Sequence, residues 1–403
     1  MSMEIVSKQA IPDETKLVLL IFDGLGGLDN EGRGTALEAA QVPNLDSLAG
    51  DSVTGFHIPV APGITPGSGP AHLSLFGYDP LKYRIGRGVL EALGVNFDLR
   101  EGDVPARVNF CTLDAEGIIT DRRAGRISSE EGQRIVNKLS SAIKIEGVET
   151  HLVHVKEYRA ALILRGKGLG GGIRDTDPQA TGKPPLPPTP IEDTPENRKT
   201  ASVLSDYLTQ ARKVLADEER ANMLNLRGID LFEPLPTFQE LYHLSPAAIA
   251  LYPMYKGVSR LAGMTVQEHG QETNSDEFEI LEKVWNDFDY FFIHIKKTDS
   301  YGEDGNFEGR VQVLEEVDAL IPRLMNLSPD VVAVTGDHST PSPMKGHSWH
   351  PVPLMIHAEH CRRDIVTAFN ETALLAGGLG TIHGTDILPL MLANGGRLGK
   401  FGA

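Results

Sequence analysis

The chain has 403 residues, too many for one small core, and the prior of roughly 100 to 200 residues per domain implies two or three domains. Lys and Arg together number 38 against 55 Asp and Glu, a formal charge of −17, which excludes a general attraction to nucleic acid or to anionic membranes. An anionic substrate is compatible with such a chain only where local cations or bound metals reverse the sign of the field. Cys111 and Cys361 are too few for a disulfide framework, cannot build a zinc–thiolate site, and suit a reducing compartment. The segment Met1–Lys16 mixes Glu4, Lys8, Asp13 and Glu14 with apolar residues, so neither a signal peptide nor a membrane span is expected, and a soluble cytoplasmic protein is.

In chain order, the first clear element is the apolar run Leu17–Phe22, which ends at Asp23. It does not alternate polar with apolar, as suits a central strand of a parallel sheet covered on both faces. Next comes the Gly/Pro-rich turn from Pro62 to His72, running into a helix-like segment around Leu73–Phe76, with Ser68 where that helix would begin. A helix start offers free backbone N–H groups and the positive end of the dipole, which favour a phosphate bound there or bonded to the serine. Serine is equally a preferred helix cap, and that plainer role stays open from this segment alone.

From about residue 83 to 235 the pattern changes. Ala106–Leu113, Leu152–Val155 and Ala160–Leu164 read as strands, Ser129–Ile143 and Asn197–Ala221 as helices, and Lys183–Pro190 as a stiff extended linker or loop. This mixed order predicts an inserted α/β domain at 83–235 within a core made of 1–82 and 236–403. Within the insert, Arg122, Arg123, Arg126 and Arg227 can bind carboxylate or phosphate as planar forks, and beyond it Lys256, in a predicted turn Met254–Gly257, can act as a point charge. Each is equally compatible with a solvated surface. Arg159 and Arg165 read as structural, and Glu218–Arg220 as a solvated helix face.

Two more apolar runs follow, Tyr290–Ile295 and Val331–Thr335, the first leading to Asp299 and Glu303, the second to Asp337 and His338. Ligands of open α/β sheets bind beyond the carboxyl ends of the strands, so three such endings can converge on one crevice. Acidic residues there can also merely cap loops or helices. Asp23, Asp299, Glu303, Asp337, His338 and His347, with His350 as a further candidate, offer oxygen and imidazole ligands without sulfur, suited to Mn²⁺, Zn²⁺ or Fe²⁺. Two cations about 4 Å apart would activate the Ser68 hydroxyl and clamp a phosphoryl group during in-line transfer. His57 and His243 are assigned to packing or surface.

Phe22-Asp-Gly-Leu-Gly26, the turn at Ser68, Gly77-Tyr-Asp-Pro80, Gly86-Arg-Gly88, Asp121-Arg-Arg-Ala-Gly-Arg126, Asp175-Thr-Asp-Pro178 and Gly336-Asp-His338 stand in that order. Together they make a chain that resembles the archaeal-type cofactor-independent phosphoglycerate mutases of the alkaline phosphatase superfamily, from about residue 17 to the end. The resemblance implies a mostly parallel α/β sheet flanked by helices, with a smaller inserted α/β domain that grips the substrate. It implies two divalent metals, Mn²⁺ first and Zn²⁺, Co²⁺ or Mg²⁺ as substitutes. One would be held by Asp23, Ser68, Asp337 and His338, the other by Asp299, Glu303 and His347. Ser68 would take the phosphoryl group from 3-phosphoglycerate and return it to the 2-hydroxyl. Arg123, Arg227 and Lys256 would face this small phosphorylated metabolite, with Asp175 as acid or base. No nucleic acid or membrane partner is implied.

Two departures stand out. The family's Asp-x-x-Gly-His-Asp-Gly is here Asp299-Ser-Tyr-Gly-Glu-Asp-Gly305, with Glu303 in the histidine's place, and its His-Ser-Gly-Asp-Pro-Val-Pro is here His347-Ser-Trp-His-Pro-Val-Pro353. Glu ligates the same ions but adds negative charge, so an altered metal preference is expected. Glu303 and His350 also keep a second reading open, a phosphatase or phosphotransferase acting on another small phosphomonoester. A catalytically silent metabolite-binding protein is a third.

Overall fold

A computed structural model describes residues 3–268 and 273–402. The three apolar runs form strands with the predicted bounds, and every residue of Leu17–Phe22, Tyr290–Ile295 and Val331–Thr335 is buried. A strand with both faces covered has no polar face to show, which is why these runs do not alternate.

The chain divides into two units, one of residues 1–84 and 236–403, the other of residues 85–235. The first is built on an eight-stranded sheet in the order Gly380–His383, Ser52–Ile58, Val352–Ala358, Val331–Thr335, Leu17–Phe22, Tyr290–Ile295, Pro246–Ala250, Thr265–Val266. Pairing is parallel except along Val352–Ala358, which runs antiparallel to both neighbours. Leu17 lies opposite Tyr290 on one side and Val331 on the other. With equal starting points and nearly equal lengths, all three strands stop at the same edge of the sheet.

Helices cover both faces. Val18, Leu20 and Phe22 pack with Phe278 and Leu281 of the helix Asn274–Val284 and with Val313, Leu314 and Val317 of Phe307–Asp318. On the other face Phe292 meets Phe76 edge-on at 5.1 Å, and Phe76 meets Phe238 at 5.8 Å. Each such buried side chain contributes about 1.5–3 kcal/mol relative to exposure.

The second unit has a five-stranded antiparallel sheet of Val104–Leu113, Ile119–Asp121, Glu149–Lys156, Arg159–Arg165 and Met223–Arg227. Its apolar face is packed by the helices Ser129–Ala142 and Pro195–Val214 through Ile135, Leu139, Leu204 and Leu208. Ser128 and Thr194 cap these helices by accepting from Glu131 N–H and Asn197 N–H.

Two expectations need correction and a third holds. The helix expected to reach Ala221 ends at Val214, and Glu218 lies in the following segment, where it pairs with Arg134 and Lys138 rather than lining a solvated helix face. The Pro-rich run is an extended loop of the second unit, as expected: Lys183 O accepts from Ile119 N–H at 2.9 Å, and Leu186 N–H donates to Thr176 O at 2.8 Å. Met254–Gly257 is no turn but part of the helix Pro253–Leu261, started by a proline at its first position and buried through Tyr255, Val258 and Leu261.

The second unit has backbone contacts that a single methyl group would break, and Gly88 makes one of them. A Cβ added at Gly88 would lie 2.4 Å from Pro105 O and 2.7 Å from Ala106 Cα. Backbone cannot yield as a side chain tip can, so Gly88→Ala is expected to cost about 1–3 kcal/mol. Urea unfolding with a probe in residues 85–235 measures it, and a midpoint equal to that of wild type would refute this account of the packing.

Candidate metal centre

The loop after each central strand delivers its polar residue to the shared sheet edge. Asp23 follows Phe22, and its N–H donates to Ile295 O at 2.9 Å, locking the first loop to the neighbouring strand. Asp337 Oδ1 accepts from Gly24 N–H at 3.1 Å and from His338 N–H at 3.0 Å, which joins the first loop to the third. Asp23, Asp337 and His338 are all fully buried.

This packing leaves particular atoms unsatisfied. Asp23 Oδ1 and Asp337 Oδ2 are buried and have no hydrogen-bond partner. His338 Nε2 lies 3.5 Å from the first and 3.2 Å from the second, and 3.2 Å from Ser68 Oγ. Ser68 opens the helix Ser68–Leu75, as the sequence suggests. Two buried carboxylate oxygens facing one imidazole nitrogen cost several kcal/mol unless a cation lies between them. The ligand atoms of Asp23, Asp337 and His338 all lie within 4.8 Å of one another, so the residues present fit a divalent ion.

A second group adjoins the first. Asp299, His338 and His347 also present ligand atoms within 4.8 Å of one another. His347 Nδ1 donates to the carbonyl of Pro66 at 3.0 Å, which can only accept, so Nε2 keeps its lone pair. That nitrogen lies 3.5 Å from Asp299 Oδ1 and 3.8 Å from Glu303 Oε1. Asp299 and Glu303 stand four residues apart on the helix Lys297–Asp304 and so share one face. The Glu303 side chain is 56% exposed, and burial together with the Asp299 charge raises its pKa. His350 lies outside both groups, bonded through Nδ1 to Ser348 Oγ under the Trp349 ring.

Lys296, which sequence reasoning missed, bridges the groups: its Nζ is 2.9 Å from Asp23 Oδ2 and 2.6 Å from Asp299 Oδ2. Burial alone would raise the Asp23 pKa, but Lys296, His294 and His338 outweigh it and hold the carboxyl below its ordinary value. Burial, reinforced by the Asp23 charge, pushes Asp337 well up. One buried carboxylate is thus ionised at the expense of the other. Tyr255, whose hydroxyl donates to Asp23 Oδ2, and His72, pushed down to about 4 by burial, line the same pocket and were likewise missed. His57, read as packing, is buried with Nε2 against Gly336 O at 2.9 Å. Lys256 lies on the helix Pro253–Leu261, paired with Glu268, which also binds Arg260.

In the second unit, Asp175 accepts from Gly228 N–H at 2.7 Å and lies 3.4 Å from Arg227 Nε. Arg122, rather than Arg123, makes the two-pronged pair with Asp177, at 3.0 and 2.6 Å, while the Arg123 residue is exposed. Asp175, Asp177, Arg174 and Asp230 line a cleft of about 580 Å³. Arg107 sits directly across from Arg227 in the sheet, and Arg87 is pushed below its usual pKa by desolvation and by the Arg227 and Arg107 charges. Like charges directly opposite on a sheet repel, and Asp175 and Asp177, 3.4 and 3.9 Å from Arg227 Nε, offset part of that repulsion. Arg107 was legible as the polar member of an alternating strand whose Ala106, Val108 and Phe110 are core.

Residues 49–221 match the sequence model of the 2,3-bisphosphoglycerate-independent phosphoglycerate mutases. The chain is 50% identical over 401 residues to a probable 2,3-bisphosphoglycerate-independent phosphoglycerate mutase of Thermosipho africanus, covering 99% of each. It is 49% identical over 409 residues to one of Aquifex aeolicus, covering the whole of both. Among solved structures it is similar to a Pyrococcus horikoshii protein, with a TM-score of 0.83 and 30% identity over 97% of this chain and 100% of that one. It is also similar to the cofactor-independent phosphoglycerate mutase of Thermoplasma acidophilum, with a TM-score of 0.72 and 29% identity over 94% and 99%.

The unsatisfied carboxylate oxygens make a thermodynamic prediction. A divalent ion at 100 times its dissociation constant should stabilise the fold by about 2.7 kcal/mol, and chelation should remove that gain. Asp337→Asn should abolish most of it. Calorimetric melting with Mn²⁺, with EDTA and in the variant measures this; identical midpoints in all three would mean that no cation binds.

Proposed function

The chain belongs to the 2,3-bisphosphoglycerate-independent phosphoglycerate mutase family, and from that premise we propose that it interconverts 3-phosphoglycerate and 2-phosphoglycerate through a phosphoserine at Ser68. The observation that carries this reading is the Ser68 hydroxyl, 3.2 Å from His338 Nε2 and facing two buried carboxylate oxygens without partners. Ser68 Oγ attacks phosphorus in line, its bond to phosphorus forms, and the bond to the 3-oxygen of glycerate breaks. The proton given up by Ser68 is matched by one taken up on the released 3-oxygen. The glycerate turns while held, its 2-oxygen bonds to phosphorus as the bond from Ser68 Oγ breaks, and the proton lost from the 2-hydroxyl is matched by one returned to Ser68. No bisphosphorylated cofactor enters the balance.

Asp23, Ser68, Asp337 and His338 would hold one divalent ion, and Asp299, Glu303 and His347 the other. When bound, such ions depress the serine pKa and neutralise charge on the phosphoryl oxygens. Mn²⁺ is favoured by the donor set of carboxylates and imidazoles without thiolate, with Zn²⁺, Co²⁺ or Mg²⁺ as substitutes. Lys296 orients Asp23 and Asp299, and its charge helps to keep Asp23 ionised. Arg123, Arg227 and Lys256 are assigned to the substrate's anionic groups; for Arg227 the support is its place opposite Arg107, where an anion relieves repulsion. Asp175, oriented by Gly228 N–H and Arg227, is assigned the proton of the glycerate hydroxyl. A cytoplasmic setting goes with this reading, as both cysteines are free thiols.

Glu303 supports a second reading, a phosphatase or phosphotransferase for another small phosphomonoester, because a carboxylate at this position lowers the Lewis acidity of the neighbouring ion. Purified protein with Mn²⁺ and no bisphosphoglycerate should convert 3-phosphoglycerate to 2-phosphoglycerate, followed by phosphorus NMR. Release of inorganic phosphate from varied monoesters without isomerisation would favour the second reading. Ser68→Ala should lower kcat by roughly 10⁴-fold or more, and a retained rate would remove the nucleophile assignment.

Glu303→His tests the altered ligand. The variant should lose turnover with Mg²⁺ and Mn²⁺ relative to Zn²⁺ and Co²⁺, because imidazole is the softer donor. An equal response to all four ions would exclude Glu303 from the ligand set.

A further inference from the structure

Thr340 is fully buried, and its one hydroxyl touches both groups of ligands. Oγ1 is 2.8 Å from Asp299 Oδ1 and 3.0 Å from His338 Nδ1. A hydroxyl has one hydrogen to give. The Asp299 carboxylate, which also takes Lys296 Nζ at 2.6 Å, is an acceptor, so Thr340 donates to it. His338 Nδ1 must then donate to the Thr340 oxygen, which leaves the lone pair of His338 on Nε2. That is the nitrogen facing Asp23, Asp337 and Ser68. The same bond sets the rotamer of Asp299.

The surroundings hold this hydroxyl in place. Arg310, fully buried on the helix Phe307–Asp318, donates from Nη1 to Thr340 O at 2.6 Å and from Nη2 to Gly24 O at 2.7 Å and Leu25 O at 2.9 Å. One guanidinium thus ties the loop after Asp23 to the loop after His338. Space is reserved as well: a Cβ at Gly24 would come within 2.5 Å of Thr340 Oγ1, and one at Gly302 within 2.5 Å of Thr340 O. Gly24 also has a φ of +67°, which disfavours any side chain there.

We propose that Thr340, clamped by Arg310, is a positioning residue that couples the two ion sites by fixing the tautomer of His338 and the orientation of Asp299 through a single hydroxyl. This rests on the two-ion reading of the centre. Outer partners of metal ligands typically change affinity by 10–100-fold when lost. Removal of this hydroxyl therefore weakens both ions together rather than one.

The test titrates Mn²⁺ into apo wild type, Thr340→Val, Thr340→Ser and Arg310→Lys, reading free Mn²⁺ by electron paramagnetic resonance, with circular dichroism as the check on folding. In Thr340→Val both affinities should fall by about 10–100-fold, and Thr340→Ser, which keeps the hydroxyl, should recover most of the loss. Should Thr340→Val not fold, Arg310→Lys, which retains the charge but loses the fork, is expected to weaken both sites in parallel. A merely structural Thr340 would lower apo stability and leave the Mn²⁺ affinities of folded variants unchanged, and that result would overturn the inference. Wild type binding fewer than two ions would overturn the two-ion reading, and this inference with it. Two ions in wild type, with only one weakened in the variants, would overturn the coupling alone.

Discussion

Asp23 and Asp337 are buried carboxylates brought face to face at the edge of a sheet, each with one oxygen left without a hydrogen-bond partner. Such a pair is among the costliest arrangements a fold can hold, since desolvation and mutual repulsion act in the same direction. Without added charge the protein meets this with Lys296 against Asp23 and by pushing protonation onto Asp337. A divalent ion meets it better, because both oxygens become ligands at once. The electrostatic cost of pairing these carboxylates is therefore also the source of their affinity for a cation.

The sheet supplies the rigidity that this requires. Equal register of Leu17–Phe22 with both neighbouring strands places Asp23 between the Asp299 and Asp337 loops, although those lie about three hundred residues further along the chain. Backbone hydrogen bonds from Asp23 to Ile295 and from Gly24 to Asp337 then leave the loops little freedom to relax apart. A ligand set carried on packed strand ends keeps its geometry better than one on free loops.

The legible and illegible parts of this chain divide along physical lines. The three central strands could be read because burial on both faces writes an unbroken apolar run into sequence, and their acidic endings followed from where parallel sheets place ligands. The place of Ser68 at a helix start was legible from its turn. The helix at Pro253–Leu261 was misread because Met254-Tyr-Lys-Gly257 looks like a turn until its proline is seen as a helix start. Lys296 and Arg107 could have been found from their position, one just past a buried strand and the other on the polar alternation of a half-covered one. Thr340 and Arg310 could not: a threonine in a loop and an arginine in a helix acquire their meaning only from partners that sequence does not place beside them.

The charge arithmetic now has a local answer in each unit. A chain of net −17 repels a phosphorylated acid at long range, so attraction has to be generated where the anion sits. In the first unit the acidic ligands themselves accomplish this, because carboxylates that gather divalent ions turn a negative pocket into a positive one. In the second the device is different: Arg107 and Arg227 are set opposite one another in the sheet and bear on Arg87, and Asp175 and Asp177 beside Arg227 offset only part of that positive charge. Both devices gather charge locally on a chain whose overall charge is of the opposite effect. On that argument the acidic surface is no obstacle to an anionic substrate. It discourages adventitious anions everywhere except where the protein has concentrated positive charge.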